Sequence, residues 1–318
     1  MRAVVITANG GPEVLQLRNE PEPEPAPGKL VVALEAAGVN FRDVYEREGK
    51  LAAYANTPPL IGGIEGAGTV VEGDGFAPGD RVCWVAAPAS YAERVLVDAN
   101  VAVPVPDGVS SEQAAAVLLQ GMTAQYLCTS TYPVQPGDDV LIHAAAGGVG
   151  LLLTQMVKRR GGRVIAATST AEKAELARGA GADETITYDG FAERVRELTD
   201  GRGVAVVFDS VGRTTFHDSL RALRRRGTLV LFGAASGPPD AYEPEELRRG
   251  SLYLTRPALP DYTHTREELL ERAADVLGQV ADGSLAVRIG GSYPFAEAHR
   301  AHEDLEARRT TGKLILVP

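Results

Sequence analysis

The chain predicts an α/β fold containing a doubly wound parallel sheet beside a second, strand-rich domain. Three observations carry that prediction. Up to about residue 104 the sequence reads as short β-like runs separated by Gly and Pro, and from residue 139 onward apolar strands alternate with helical patterns, the βαβ signature. At 318 residues the chain also exceeds the usual span of one hydrophobic core, so two domains are the natural expectation.

The amino-terminal strands are AVVIT, LVVALEAAGV, GAGTVV, RVCWV and YAERVLV. Between the first two, EPEPEPAPG (20–28) reads as an extended surface loop rather than a linker. At about residue 110 the pattern changes: Ser110 and Gln113 form a capping box before an Ala/Leu-rich helix that continues to Cys128. Alternation then gives DVLIHA, a helix over 148–160, RVIAAT, a helix over 171–179, ETITY, a helix over 191–198, VAVVFDS, a helix over 213–223, and GTLVLFG. Thr265 with Glu268 caps a further helix, followed by LAVRIGG, a charged helix over 295–308 and the closing strand KLILVP. The basic run Lys158, Arg159 and Arg160 falls at the negative end of the 148–160 helix dipole, a capping role rather than an anion site.

Composition narrows the function classes. A formal charge of -10 with scattered basic residues disfavours nucleic acid as a partner. Residues 140–157 carry no charge, but His143, three glycines, Thr154 and Gln155 interrupt them, so a buried strand and helix explain the run better than a membrane span. The first apolar stretch is too short for a secretory signal and ends at Gly10, Gly11 and Pro12. The two cysteines, Cys83 and Cys128, form no CxxC or Cys/His cluster, which fits a reduced, cytoplasmic setting without a structural zinc.

HAAAGGVG (143–150) is the most informative motif. Against the dinucleotide fingerprint GxGxxG it aligns Ala145, Gly147 and Gly150, so the turn-forming first glycine is an alanine, which suggests a less demanding first turn. It follows an apolar strand and opens an amphipathic helix, the context in which glycine lets backbone approach a pyrophosphate and the helix N-terminus supplies unpaired N–H groups. The same small residues also allow simple helix-to-strand packing. The next strand ends in Thr168, Ser169 and Thr170, where NAD-binding versions carry an acidic residue for the ribose 2′-OH. No carboxylate there repels a 2′-phosphate and Lys173 can neutralise one, so the pattern favours NADPH, although Ser169 with Glu172 also reads as a capping box.

GVNFRDVY (38–45), IEGAG (64–68), GDRV (79–82), HAAAGGVG, FDSVG (208–212) and GSLYLTRP (250–257) together resemble zinc-independent quinone oxidoreductases of the medium-chain dehydrogenase/reductase superfamily. The resemblance covers nearly the whole chain. It implies a Rossmann domain (121–259) inserted into a GroES-like β-barrel catalytic domain (1–120 and 260–318), and a homodimer. It further implies that Asn40, Phe41 and Tyr45 border the nicotinamide, Gly147, Gly148 and Val149 the pyrophosphate, and Ser169, Thr170, Lys173 and Tyr188 the adenosine phosphate, with Tyr126, Ser210, Phe232, Gly233 and Arg308 as further NADPH contacts. For Tyr45 and Tyr126 interior packing is the alternative role. Arg256 either orients substrate or serves the domain junction.

In zinc-dependent relatives a cysteine lies in the segment matching GVNFRD and a histidine in that matching GIEG, whereas here Asn40 and Ile64 stand there and only Glu65 remains. His299 and His302 have metal-pair spacing on a helix, but lack a third ligand and read as a solvated face. The implied reaction is metal-free hydride transfer to a quinone or similar electron-poor acceptor, with Asn40 and Tyr45 offering hydrogen bonds to the developing oxyanion. Two alternatives stand beside it: reduction of the C=C bond of an enone or enoyl thioester, and a non-catalytic NADPH-binding module. Acceptor choice depends on the 46–60 loop, EREGKLAAYANTPPL, and on the domain interface.

Overall fold

The computed structural model describes residues 1–50 and 56–318, so residues 51–55 of the 46–60 loop lie outside the described residues. The chain divides into two units, Met1–Gln120 with Thr265–Pro318, and Gly121–His264. The first unit resumes at Thr265, later than residue 260, because Tyr262 stacks face to face on Tyr126 of the second unit with ring centroids 4.1 Å apart.

The first unit holds β1 (Arg2–Ile6), β2 (Leu15–Asn19), β3 (Lys29–Val39), α1 (Phe41–Glu48), β4 (Leu60–Ile61), β5 (Gly66–Gly73), β6 (Arg81–Trp84), β7 (Arg94–Asp98) and β8 (Ala102–Pro104). These include all five strands that the sequence predicts there. α2 (Ser111–Tyr126) follows, and the Ser110–Gln113 capping box forms in both directions at 3.0 and 3.1 Å. The predicted helix to Cys128 instead leaves α-geometry at Tyr126 and passes into a π-turn over Leu127–Thr131. A seven-stranded sheet runs β15-β16-β3-β5-β6-β8 with β7 also on β3, where β15 is Ile289–Pro294 and β16 is Lys313–Val317. A second sheet runs β2-β1-β4. β3 is eleven residues long and so serves several partners: β5 along most of its length with register shifts near Val31 and Leu34, β7 over Lys29–Ala33, and β16 over Ala37–Val39. Its inward residues Leu30, Val32 and Leu34 pack with Trp84, Tyr91, Val95, Phe295, Leu314 and Leu316, each such side chain contributing about 1.5–3 kcal/mol on burial.

The second unit is a six-stranded sheet of order β11-β10-β9-β12-β13-β14, parallel throughout, formed by β9 (Asp139–Ile142), β10 (Arg163–Ala167), β11 (Glu184–Ile186), β12 (Val204–Asp209), β13 (Leu223–Leu231) and β14 (Tyr253–Thr255). It is the expected Rossmann-type doubly wound sheet. Helices α3 (Gly148–Arg159), α4 (Ala171–Gly179), α5 (Phe191–Leu198) and α6 (Phe216–Ala222) make the crossovers. β12 is buried at every position, as a parallel strand covered on both faces must be. The helix predicted over 213–223 starts late because Asp209 Oδ1 accepts from the N–H groups of Val211 and Gly212 and holds a turn there. At the end of α3, Lys158 pairs with Asp183 and Arg160 donates to Val134 O, so these two cations are used inside the unit.

After a short α7 (Glu245–Arg248), the capping box of Thr265 and Glu268 opens α8 (Arg266–Ala281), as predicted. The charged helix predicted over 295–308 is a 3-10 turn, Phe295–Glu297, followed by α9 (Ala298–Glu306). The solvated-face reading is corrected for His302, which is buried with Ala298 and Ala301 and packs edge-on to Tyr91, while His299 is half-buried. Its Nδ1 accepts from Arg47 Nη1 at 3.2 Å, while Arg47, itself fully buried, also reaches Glu306 Oε1 at 2.6 Å and Gly10 O at 3.0 Å. Neighbouring charges suggested a wet face, but the buried guanidinium binds α9 to α1.

Burial, and then the Arg47 charge, push the His302 imidazole down from 6.5 to about 3. Unfolding returns it toward 6.5, so between these values the unfolded chain binds a proton that the folded chain refuses. This contribution to stability is therefore full above pH 6.5 and falls by about 1.4 kcal/mol per pH unit down to pH 3. Urea unfolding at several pH values is expected to show a shallower acid dependence for His302→Gln than for the parent protein. Equal slopes would exclude His302 as a source of acid lability.

Candidate active site

At the C-terminal end of β9 the chain turns through HAAAGGVG into α3. The left-handed residue of this turn is Ala144, at φ 48°, and not the fingerprint alanine Ala145, which is buried. The first turn is thus no less demanding; its strained position lies one residue earlier. Two hydrogen bonds hold it: Ala144 N–H donates to Tyr188 Oη at 2.8 Å, and Ala144 O accepts from Gly147 N at 2.8 Å. A Cβ on Gly150 would collide with Ala144 O and approach Ala145 Cα to 2.7 Å, so glycine is required where α3 meets the loop. Gly147, Gly148 and Val149 are half-buried at the N-terminus of α3, where helix geometry leaves N–H groups without intrahelical acceptors.

The adjoining strand ends alongside. β10 stops at Ala167, Thr168 is buried, and Ser169 and Thr170 are exposed. The predicted Ser169–Glu172 cap is corrected: Thr170 is the N-cap of α4, its Oγ1 accepting from Lys173 N at 3.2 Å. Ser169 is thereby released from capping. On the other side of the switch between β9 and β12, Gly233 packs so tightly on Ser210 that a Cβ would lie 2.6 Å from Ser210 O, while Phe232 is half-buried. These segments all follow parallel strands at their C-terminal ends, the crevice position of open α/β sheets. A pyrophosphate and an adenosine phosphate fit this surface: the helix N-terminus provides donors, and the loop after β10 carries hydroxyls with no carboxylate. Tyr126 is buried against Tyr262, the packing role raised as an alternative, and Arg256 Nη1 donates to Leu231 O at 2.9 Å.

Behind the loop lies a buried polar chain that the sequence reading missed. Thr215 and Ser219 hydroxyls donate to Asp209 Oδ2 at 2.7 and 3.0 Å, and Ser219 Oγ lies 2.9 Å from His143 Nε2. Because the Ser219 proton goes to Asp209, His143 must donate through Nε2, and its bare Nδ1 has no partner among the described residues. Burial holds His143 below the usual imidazole range against the pull of Asp209. Its ring stacks on Tyr188 with centroids 5.6 Å apart, which fixes the tyrosine that anchors Ala144.

In the first unit, Asn40 immediately precedes α1 and is buried, whereas Phe41 and Tyr45 are half-buried with ring centroids 6.2 Å apart. Asn40 N–H donates to Asp43 Oδ2 at 2.9 Å, and Tyr91 Oη donates to the same oxygen at 2.9 Å. Desolvation outweighs these bonds and the nearby Arg42, and raises the Asp43 carboxyl to about 6. The Asn40 side chain enters a second cluster. Lys313 Nζ lies 2.6 Å from both Asn40 Oδ1 and Glu65 Oε2, Asn40 Nδ2 donates to Glu65 Oε2 at 2.9 Å, and Leu119 N donates to Glu65 Oε1 at 2.7 Å. Sequence reasoning found Asn40 and Glu65 but neither Asp43, Tyr91 nor Lys313. A lysine opening an apolar strand was the available signal for Lys313. Arg308 is exposed beyond α9 with a left-handed backbone at φ 56°.

The two units match separate family descriptions: the alcohol dehydrogenase GroES-like domain over residues 26–132, and zinc-binding dehydrogenase over residues 148–275. Together with the parallel sheet and glycine loop they define a medium-chain dehydrogenase/reductase. The chain is 44% identical to a quinone oxidoreductase of Pseudomonas aeruginosa, over 100% of this chain and 99% of the relative. It is 40% identical to a 2-haloacrylate reductase of a Burkholderia species, over 99% and 98%. A mycobacterial protein solved in complex with NADPH superposes with a TM-score of 0.96 at 48% identity, covering 100% of both chains. The chain belongs to the quinone oxidoreductase family of this superfamily.

The zinc named in one of these descriptions does not fit the residues present. Asn40 and Ile64 stand where the resemblance places ligands, and the remaining carboxylate, Glu65, is already paired with an ammonium. Among the described residues no group of three His, Cys, Asp or Glu is placed to hold a metal ion.

Gly150→Val is expected to push α3 away from the loop and lower the unfolding free energy by about 1–3 kcal/mol, as overpacking does. Urea denaturation measures this, and an unchanged midpoint would show that the loop has room the structure denies it.

Proposed function

We propose that the protein is an NADPH-dependent oxidoreductase that reduces a quinone or a similarly electron-poor acceptor. The observation that carries the reading is the carboxylate-free end of β10 beside the glycine loop, in a chain similar over its full length to a quinone oxidoreductase. When bound, the reduced nicotinamide supplies a hydride. The chain's residues do the rest. Backbone N–H groups of Gly148 and Val149 hold the pyrophosphate, with Gly147 bordering it while its own N–H is bound to Ala144 O, and Ser169, Thr170 and Lys173 hold the 2′-phosphate with Tyr188 bracing the loop. Ser210, Phe232 and Gly233 line the adjoining strand ends, with Tyr126 and Arg308 as further contacts. Asn40, Phe41 and Tyr45 border the nicotinamide, and the Tyr45 hydroxyl donates to oxygen on the acceptor as charge develops there.

The buried thiols Cys83 and Cys128 suit a reducing cytoplasm, and among the described residues no helix is long and apolar enough to cross a membrane. A second acceptor class, activated alkenes, is favoured by the similarity to a 2-haloacrylate reductase, because conjugate hydride addition makes related electrostatic demands.

The test is NADPH oxidation followed at 340 nm with a panel of quinones, enones and haloacrylates. Turnover with quinones supports the reading, turnover with alkenes alone supports the second, and tight NADPH binding without acceptor-dependent oxidation refutes both. Lys173→Glu is expected to weaken NADPH binding by at least about tenfold and NADH binding little, since a charged hydrogen bond is lost. Tyr45→Phe is expected to lower kcat by at least about tenfold with NADPH affinity nearly unchanged.

We infer a homodimer as the assembled form. Among the described residues β14 is an edge strand paired only with β13, and Tyr253 upon it is 60% exposed, an edge and an apolar ring suited to a second copy of the chain. Sedimentation is expected to give a dimer that Tyr253→Asp weakens; a monomeric parent protein would refute the inference.

A further inference from the structure

We propose that Lys313 is a positioning residue, a built-in cation that holds Glu65 and orients the Asn40 amide in the segment where the family's zinc-binding members place ligands. The proposal rests on the reading above in that Asn40 borders the reacting ring.

The placement follows from the sheet. β16 runs antiparallel to β3 with Leu314 opposite Val39 and Ile315 opposite Gly38, so one further step of register brings Lys313 opposite Asn40. Glu65 arrives from the neighbouring strand, its carbonyl accepting from Gly38 N at 3.1 Å. Gly38 is what admits its carboxylate: a Cβ there would collide with Glu65 Oε2 and come within 2.7 Å of Ala115 O. Lys313 is 1% exposed and Glu65 fully buried, so neither charge is relieved by water.

The chemistry of the groups then fixes the amide. An ammonium can only donate and a carboxylate only accept, so Asn40 Oδ1 must face Lys313 and Nδ2 must face Glu65. Among the described residues the second Nδ2 hydrogen reaches only Gly38 O, at 3.4 Å, and it is this weakly held donor that the proposal turns toward an acceptor. With Lys313 replaced and the Glu65 carboxylate made an amide, nothing selects this orientation over its flip.

The experiment compares the parent protein with Lys313→Met, Glu65→Gln and the Lys313→Met/Glu65→Gln double variant, reading Tm, NADPH dissociation constant and quinone-dependent kcat. Lys313→Met strands a buried carboxylate and is expected to lower Tm by roughly 5–10 °C, most of which the neutral double variant recovers. The recovered double variant is nevertheless expected to turn over at least about tenfold more slowly, with NADPH binding within about threefold of the parent, because the amide is no longer held. A double variant with parental kcat overturns the positioning role and leaves a structural ion pair. A Lys313→Met variant as stable as the parent, or a double variant no more stable than Lys313→Met, overturns the internal cation itself. If the parent oxidises no NADPH with any acceptor, the functional reading fails and the positioning role with it, while the Tm comparison still reports on the ion pair.

Discussion

The first unit depends on one buried ion pair made from opposite ends of the chain. Lys313 and Glu65 lose their hydration when β16 closes against β3, a penalty of several kcal/mol per ion that is offset only when the remaining polar atoms find partners. Here they do: Glu65 accepts from Leu119 N, Asn40 Nδ2 and Lys313, and Lys313 also donates to Asn40. The pair therefore specifies the carboxyl-terminal register as much as it stabilises it. A one-residue slip of β16 would turn Lys313 away and leave Glu65 alone in the interior. The same cluster sets the start of α1, since Asn40 contributes its side chain to Glu65 and its backbone N–H to Asp43. At the other end of α1, the buried Arg47 ties Gly10, His302 and Glu306 together.

The second unit solves a different problem, holding a loop in a costly conformation without a glycine. A left-handed alanine costs roughly 1–2 kcal/mol, and the two hydrogen bonds of Ala144 offset it. That arrangement works only if Tyr188 is itself fixed. Its ring is fixed by His143, and His143 by Ser219 and Asp209. The buried polar chain is thus a scaffold for the loop: Asp209 is spent on the hydroxyls of Thr215 and Ser219 and on two backbone N–H groups, which leaves it no proton-accepting role at the surface.

What the sequence made legible was periodic or local. Strand and helix alternation located the parallel sheet, and the absence of an acidic residue among Thr168, Ser169 and Thr170 could be read without coordinates. Single-residue offsets were not legible: Ser169 and Thr170 are both good caps, and the choice between them depends on where β10 releases the chain. Nor was the left-handed residue, because neither Ala144 nor Ala145 announces it and the deciding partner, Tyr188, lies far along the chain. His302 was misread because its charged neighbours on α9 face outward while it lies on the side of Ala298 and Ala301. Lys313 was hardest, since a lysine is almost never fully buried without a partner, and its partners lie at the other end of the sequence.

The chemistry of the buried cation bears on the kind of acceptor. A metal ion with an open position polarises a carbonyl directly. An ammonium whose short contacts go to Glu65 and Asn40 cannot do so: its charge is neutralised by the carboxylate beside it, and what it transmits is orientation. With Asn40 bordering the nicotinamide as proposed, a site built this way gives the acceptor well-placed hydrogen bonds but little electrophilic activation. It therefore suits acceptors that are electron-poor by their own structure, such as quinones and activated alkenes, in which conjugation already spreads the charge that arrives. A simple aldehyde or ketone, which needs its carbonyl polarised before hydride can add, is a poor match for a cation turned inward.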